Sequence, residues 1–170
     1  MTVMGLFDRA GLPRAVYASL AAEVGGRPRV LAWARGANGP VVGTSDRLAI
    51  AASEGWQLVP WHQIASGGWD ASSGRLRWTS VDGAEHGMVL DDPGSLPELF
   101  RERVDASIVV QERFELERGR AAMIVARRRL DDQRAPLIWS VSPLGGAWSA
   151  DQTARSAAEL ARLQAEYDIR

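Results

Sequence analysis

The chain has 170 residues, 46% of them hydrophobic, and a net charge of -1 at neutral pH. That length and apolar content suit one domain, or one domain with an elaboration, and exclude a disordered chain. A charge so close to zero excludes a long-range field for nucleic acid or anionic lipid.

The residue inventory removes further chemistry. There is no Cys, which excludes disulfides, thiolate metal sites and cysteine nucleophiles. Every basic residue is Arg, so there is no P-loop lysine, no Schiff base and no pyridoxal phosphate attachment. The N-terminus carries no basic region followed by an apolar run, and no stretch reaches the roughly 18 apolar residues that span a bilayer. The expected location is the cytoplasm.

In chain order, residues 12–24 read as a helix, with Leu12, Val16, Leu20 and Val24 recurring every four residues and Gly25-Gly26 as the stop. Short strands follow over residues 29–90. Val30 to Ala34 leads to Asn38-Gly39, expected to form a type I′ hairpin turn, and Pro40 opens the next strand. Val41 to Thr44, the turn Ser45-Asp46, and Leu48 to Ala52 come next, then Trp56 to Pro60. Ile64 to Trp69 reads as a strand bent at Gly67-Gly68. Arg75 to Thr79 alternates cleanly, with Leu76 and Trp78 inward. Asp82-Gly83 turns the chain into a strand through Met88 and Leu90. Ser95 and Glu98 then form a capping-box signature for a helix with Leu96, Leu99, Phe100 and Val104 on its buried side, ending near Asp105. The last third reads as strands at 107–116, 120–128 and Leu137 to Val141, the first two joined about Glu117-Arg118-Gly119. A final helix at 152–167 is capped by Ser149 or Asp151.

Seven short strands and a closing helix resemble the pleckstrin-homology (PH) architecture. Thr44-Ser-Asp-Arg47-Leu48-Ala-Ile50 resembles a turn of bacterial PH and GRAM-like domains, and Pro60-Trp61-His-Gln-Ile64 is similar to the start of their fifth strand. The resemblance covers about residues 29–105. It implies an α+β chain: a PH-like, partly open antiparallel β-barrel with a closing helix. Around it stand a helical arm at 1–28 and a C-terminal β-β-β-α extension at 106–170, docked on the barrel. It also implies a binding role with little enzymology. Phosphoinositide-binding members gather Lys and Arg about the first hairpin. Here Arg35 to Pro40 offers one Arg, so lipid binding is not expected.

Candidate chemistry is sparse. His62 and His86 are the two imidazoles, and with Asp70, Asp82, Glu85, Asp91 or Asp92 either could form an acid–base pair or a metal site. His62 is expected to bond to backbone and His86 to be exposed. No HExxH and no Gly-x-Ser-x-Gly occurs. Arg127, Arg128 and Arg129 form a basic run beside Asp131-Asp132, read as a solvated strand end that could meet a protein partner. Trp148, next to Gly145-Gly146, is the tryptophan suspected of a surface role. Together these point to a non-enzymatic interaction module that binds a protein, with Arg127 to Arg129 and Trp148 as candidate surface. No catalytic residue, metal or cofactor is expected. Nucleic acid is not expected as a partner, and a homodimer through an open strand edge is allowed. The second reading is a small-ligand-binding protein with a pocket between barrel and extension. The third is a hydrolase using a His–carboxylate pair.

Overall fold

The computed structural model describes residues 11–168. Among these residues the chain is α+β, with three helices, one seven-stranded and one three-stranded antiparallel sheet. The elements are α1 (Arg14–Val24), β1 (Val30–Gly36), β2 (Gly39–Thr44), β3 (Arg47–Ala51), β4 (Trp56–Pro60), β5 (Ile64–Asp70), β6 (Arg75–Ser80), β7 (Glu85–Asp92), α2 (Leu96–Ser107), β8 (Ile108–Glu115), β9 (Ala121–Arg127), β10 (Ile138–Leu144) and α3 (Ala150–Tyr167). The arm expected at 1–28 falls partly on residues 1–10, which lie outside the described residues; its helix is α1.

The chain forms two compact units. The first runs to Ser107 and takes back Arg129–Arg134; the second holds Ile108–Arg128 and Ala135–Arg170. In the first, the strand order is β4-β3-β2-β1-β7-β6-β5. β1 meets β7 only at Arg35 with Asp92 and Gly36 with Leu90, across a register shift. The end strands β4 and β5 do not pair, so no closed barrel forms among the described residues. A single 3-10 turn, Trp61–Gln63, connects them.

Alternation explains the layers. Ala32, Ala34, Val41 and Leu48 face one way and join Trp61, Ile64, Leu76, Trp78, Leu90 and the α2 residues Leu96, Leu99, Phe100 and Val104 in the main core. Val42 and Ala49 face the other way, as does Val30 across the register shift between Val30 and Ala32, and all three pack with Leu12 and Leu20. Strands β1 to β3 are therefore covered on both faces, α1 supplying the second cover, which is why they read as apolar runs.

Several local expectations are corrected. The first hairpin loop is Ala37-Asn38, flanked by the paired Gly36 and Gly39, and neither loop residue takes a positive φ. It is not a type I′ turn on Asn38-Gly39. The irregularity in β5 lies between Ile64 and Ser66, not at Gly67-Gly68. A Cβ on Gly67 would stand 2.6 Å from the Arg77 carbonyl oxygen and 2.8 Å from the Phe100 ring. Glycine is there because the strand runs directly beneath Phe100. Helix α2 continues to Ser107, whose buried hydroxyl donates to the Val104 carbonyl at 2.6 Å and carries the helix past Asp105.

In the second unit β9 lies between β10 and β8. The turn at Glu117 to Gly119 forms as expected, with Arg118 at φ 59° and Gly119 at φ 69°. Helix α3 packs through Leu163, Leu160 and Tyr167 against Ala122 and Ile124, with Phe114, Trp139, Val141 and Trp148 completing the cluster. Ser149 caps α3, its hydroxyl accepting from the Gln152 N–H at 3.2 Å while the Gln152 side chain accepts from the Ser149 N–H at 3.0 Å. No described helix is long and apolar enough to cross a membrane.

Candidate functional site

Two hollows in the first unit carry polar chemistry. The first lies where the β2–β3 turn and the 3-10 turn at Trp61–Gln63 come together. Thr44 is fully buried, and its hydroxyl accepts the Arg47 N–H at 3.2 Å and lies 3.0 Å from Asp46 Oδ1. Its carbonyl accepts the Trp61 indole N–H at 2.9 Å. Trp61, also fully buried, stands edge-on to Phe100 at 5.9 Å and 83°. Thr44 and Trp61 thus tie the β2–β3 turn to the 3-10 turn. Between these turns opens a pocket of about 300 Å³ lined by Asp46, Arg47, Pro60, His62, Gln63, Arg129 and Asp131.

His62 is 7% exposed, and its Nδ1 is sealed from solvent with no hydrogen-bond partner among the described residues. The expected backbone bond at that atom is not made. Burial lowers the pKa of His62 below its ordinary value, Asp131 opposes this, and Arg129 adds to it. Arg47 holds Asp46 Oδ2 through Nε at 3.0 Å and Nη2 at 2.6 Å. Arg129 forks onto Asp131, Nε to Oδ1 at 3.0 Å and Nη2 to Oδ2 at 2.6 Å. That bond pulls the Asp131 carboxyl down to about 2. Leu130, between them, packs against the main core.

The second hollow, also about 300 Å³, lies along the end strand β5. It is lined by Ser66, Gly67, Gly68, Arg77, Trp78, Thr79, Glu85 and His86. The Trp78 ring is buried, yet its indole N–H has no hydrogen-bond partner among the described residues. Buried tryptophan N–H groups usually find one. His86 is half-buried, not exposed as expected. It stacks on Trp78 at 5.3 Å and 15°, and its Nε2 lies 2.9 Å from Ser80 Oγ. Neither histidine is hydrogen-bonded to a carboxylate among the described residues, and no group of three or more metal-ligating side chains occurs among them.

The residues singled out from sequence are separated by the fold. Arg127 is 3% exposed at the end of β9, so the solvated strand end does not include it. It points the same way along β9 as Val125, which is also buried. Arg128 is half-buried, and Arg129 belongs with the first unit, paired to Asp131. Trp148 is half-buried; its indole N–H donates to the Ala121 carbonyl at 3.2 Å and its ring packs on the second core. Sequence reasoning missed Trp78, Gly68 and the Asp46–Arg47 pair; for Asp46 and Arg47 the signal was the turn motif itself.

No family model matches the chain, and no curated protein or solved structure matches it.

Proposed function

We propose that the chain is a non-enzymatic, PH-like interaction module that binds a protein segment by strand addition along β5. The observation that carries the reading is the open end strand itself. Ser66, Gly67 and Gly68 are exposed and bring neither a charge nor a proline to the strand edge, and the one charge in β5 is Asp70 at its last position. End strands are normally blunted by such residues to prevent pairing with other chains. The opposite end strand is guarded: β4 finishes at Pro60, and the Trp56 indole N–H is engaged by Ser19 of α1 at 3.0 Å. A segment laid beside Ser66 to Gly68 would gain main-chain hydrogen bonds, and the adjoining hollow would take one side chain. The Trp78 N–H and the separate charges of Arg77 and Glu85 give that hollow a way to discriminate.

The PH-like reading is supported by the strand order, by the split into four- and three-stranded halves joined only at Arg35 and Gly36, and by the helix that follows β7. Anionic lipid and nucleic acid do not fit, since Arg127 is buried and Arg129 is committed to Asp131.

The test is a Gly68→Lys variant. A Cβ at Gly68 meets nothing within 4 Å, so the fold accepts the side chain while the strand edge gains a charge. Affinity capture from the native host should yield a partner with the wild-type chain and lose it with Gly68→Lys. Equal capture by both, or no partner at all, overturns the reading.

A further inference from the structure

The pocket at His62 is a polar site that strand addition along β5 does not use. Its wall is a buried imidazole whose Nδ1 is sealed and unpartnered. An imidazolium needs an acceptor at both nitrogens, and Nδ1 has none among the described residues, which favours the neutral ring. Burial acts in the same direction. Around the ring stand two guanidiniums and two carboxylates, paired as Arg47 with Asp46 and Arg129 with Asp131. The pocket therefore carries both signs and no net charge.

Neither pair is saturated. Each Arg commits Nε and Nη2 to its carboxylate, and neither Nη1 makes a hydrogen bond among the described residues. Each carboxylate oxygen can accept more than the bonds it receives. A lone anion entering here would meet two carboxylates, and a lone cation would meet two guanidiniums. A metal ion lacks the donor cluster it needs among the described residues. A small molecule bearing one ammonium and one carboxylate meets an opposite charge at both ends, and about 300 Å³ accommodates one.

We propose that this pocket binds a small zwitterion of the free amino-acid class, its carboxylate on the guanidinium Nη1 groups of Arg47 and Arg129 and its ammonium on the carboxylates of Asp46 and Asp131. The His62 ring forms the neutral wall between them.

The test follows the His62 imidazole by NMR in the full chain during titration with individual free L-amino acids. Acetate, methylammonium and sodium chloride serve as single-charge and ionic-strength controls. A saturable shift of the His62 signals is expected with at least one amino acid, with acetate and methylammonium each about tenfold weaker or worse. Arg129→Gln and Asp131→Asn should each weaken binding about tenfold. Both side chains are partly exposed, and an unchanged thermal midpoint confirms that the fold survives. Absence of a saturable response to any amino acid overturns the proposal. So does an equal response to acetate alone, which would mark a simple anion site, or retention of binding in both variants. Gly68→Lys should leave the titration unchanged, so failure here and failure of the strand-addition reading are distinguishable.

Discussion

Because burial lowers the His62 pKa in the folded chain, its contribution to stability has a defined sign. The unfolded chain takes up the proton first as pH falls, near the ordinary value of 6.5. The stability tied to the neutral ring is complete above that pH and declines on acidification towards the lower, folded value. We predict that the urea midpoint falls between pH 7 and pH 5, and that His62→Gln flattens the slope. A slope unchanged by the substitution would show that the ring is not held neutral. Asp131 acts in a separate window: with its carboxyl at about 2, its pairing with Arg129 is lost only well below 4, a range shared by Asp70 with its bonds from Ser72 and Ser73. At this scale the sequence was a partial guide. It marked both histidines as the residues to inspect. It could not show that His62 would be sealed against one turn or that Arg127 would be buried, because a run of three arginines reads as solvated whichever way the strand faces.

The element most open to test is α3, whose cap couples it to the turn before β9. The Gln152 side chain closes the box with Ser149 and also donates to the Glu117 carbonyl at 2.9 Å. Ser149→Ala removes one capping bond and should cost about 1 kcal/mol. Gln152→Ala removes the reciprocal bond and leaves the Glu117 carbonyl only the longer bond from the Arg120 N–H at 3.3 Å, so it should cost more, on the order of 2 kcal/mol. Chemical denaturation of the two variants checks the order; a Gln152→Ala cost below that of Ser149→Ala would mean the Glu117 contact contributes nothing. Elements were legible wherever a period or a cap was strong. The alternation Arg75 to Thr79 located β6, and the four-residue repeat located α1 to within two residues. The 3-10 turn was not legible, since Trp61-His62-Gln63 has no helical period and its geometry is set by Trp61 reaching the Thr44 carbonyl. The turn at Ala37-Asn38 was misplaced by one residue because Asn-Gly is so strong a hairpin signal that it masked the pairing of Gly36 with Gly39.

For the whole molecule, the sequence suggests one boundary, at 105/106, whereas the chain crosses between its two units three times. The chain leaves the first unit after Ser107, returns for Arg129–Arg134, and leaves again at Ala135. The returning segment contributes Leu130 to the main core and the Arg129–Asp131 pair to the wall of the His62 pocket. From sequence Arg127 to Arg129 beside Asp131-Asp132 read as a solvated strand end, because one leucine between charged residues carries no period. A fragment of residues 1–107 therefore lacks part of the core of the unit it nominally contains. Leu130 is only partly buried, so Leu130→Ala in the full chain should cost about 1–2 kcal/mol, below the range for a sealed core leucine. The fragment should lose at least that much, since it also loses the forked Arg129 bond. Trp61 is fully buried in that core, and its fluorescence reports on it in a chain where the other tryptophans are changed to Phe. The comparison is the denaturation midpoint of that reporter in the full chain, in Leu130→Ala and in the fragment. Midpoints that descend in that order place residues 129–134 in the first unit's cooperative core. A fragment that unfolds at the full chain's midpoint would mean the segment lies against the unit without stabilising it.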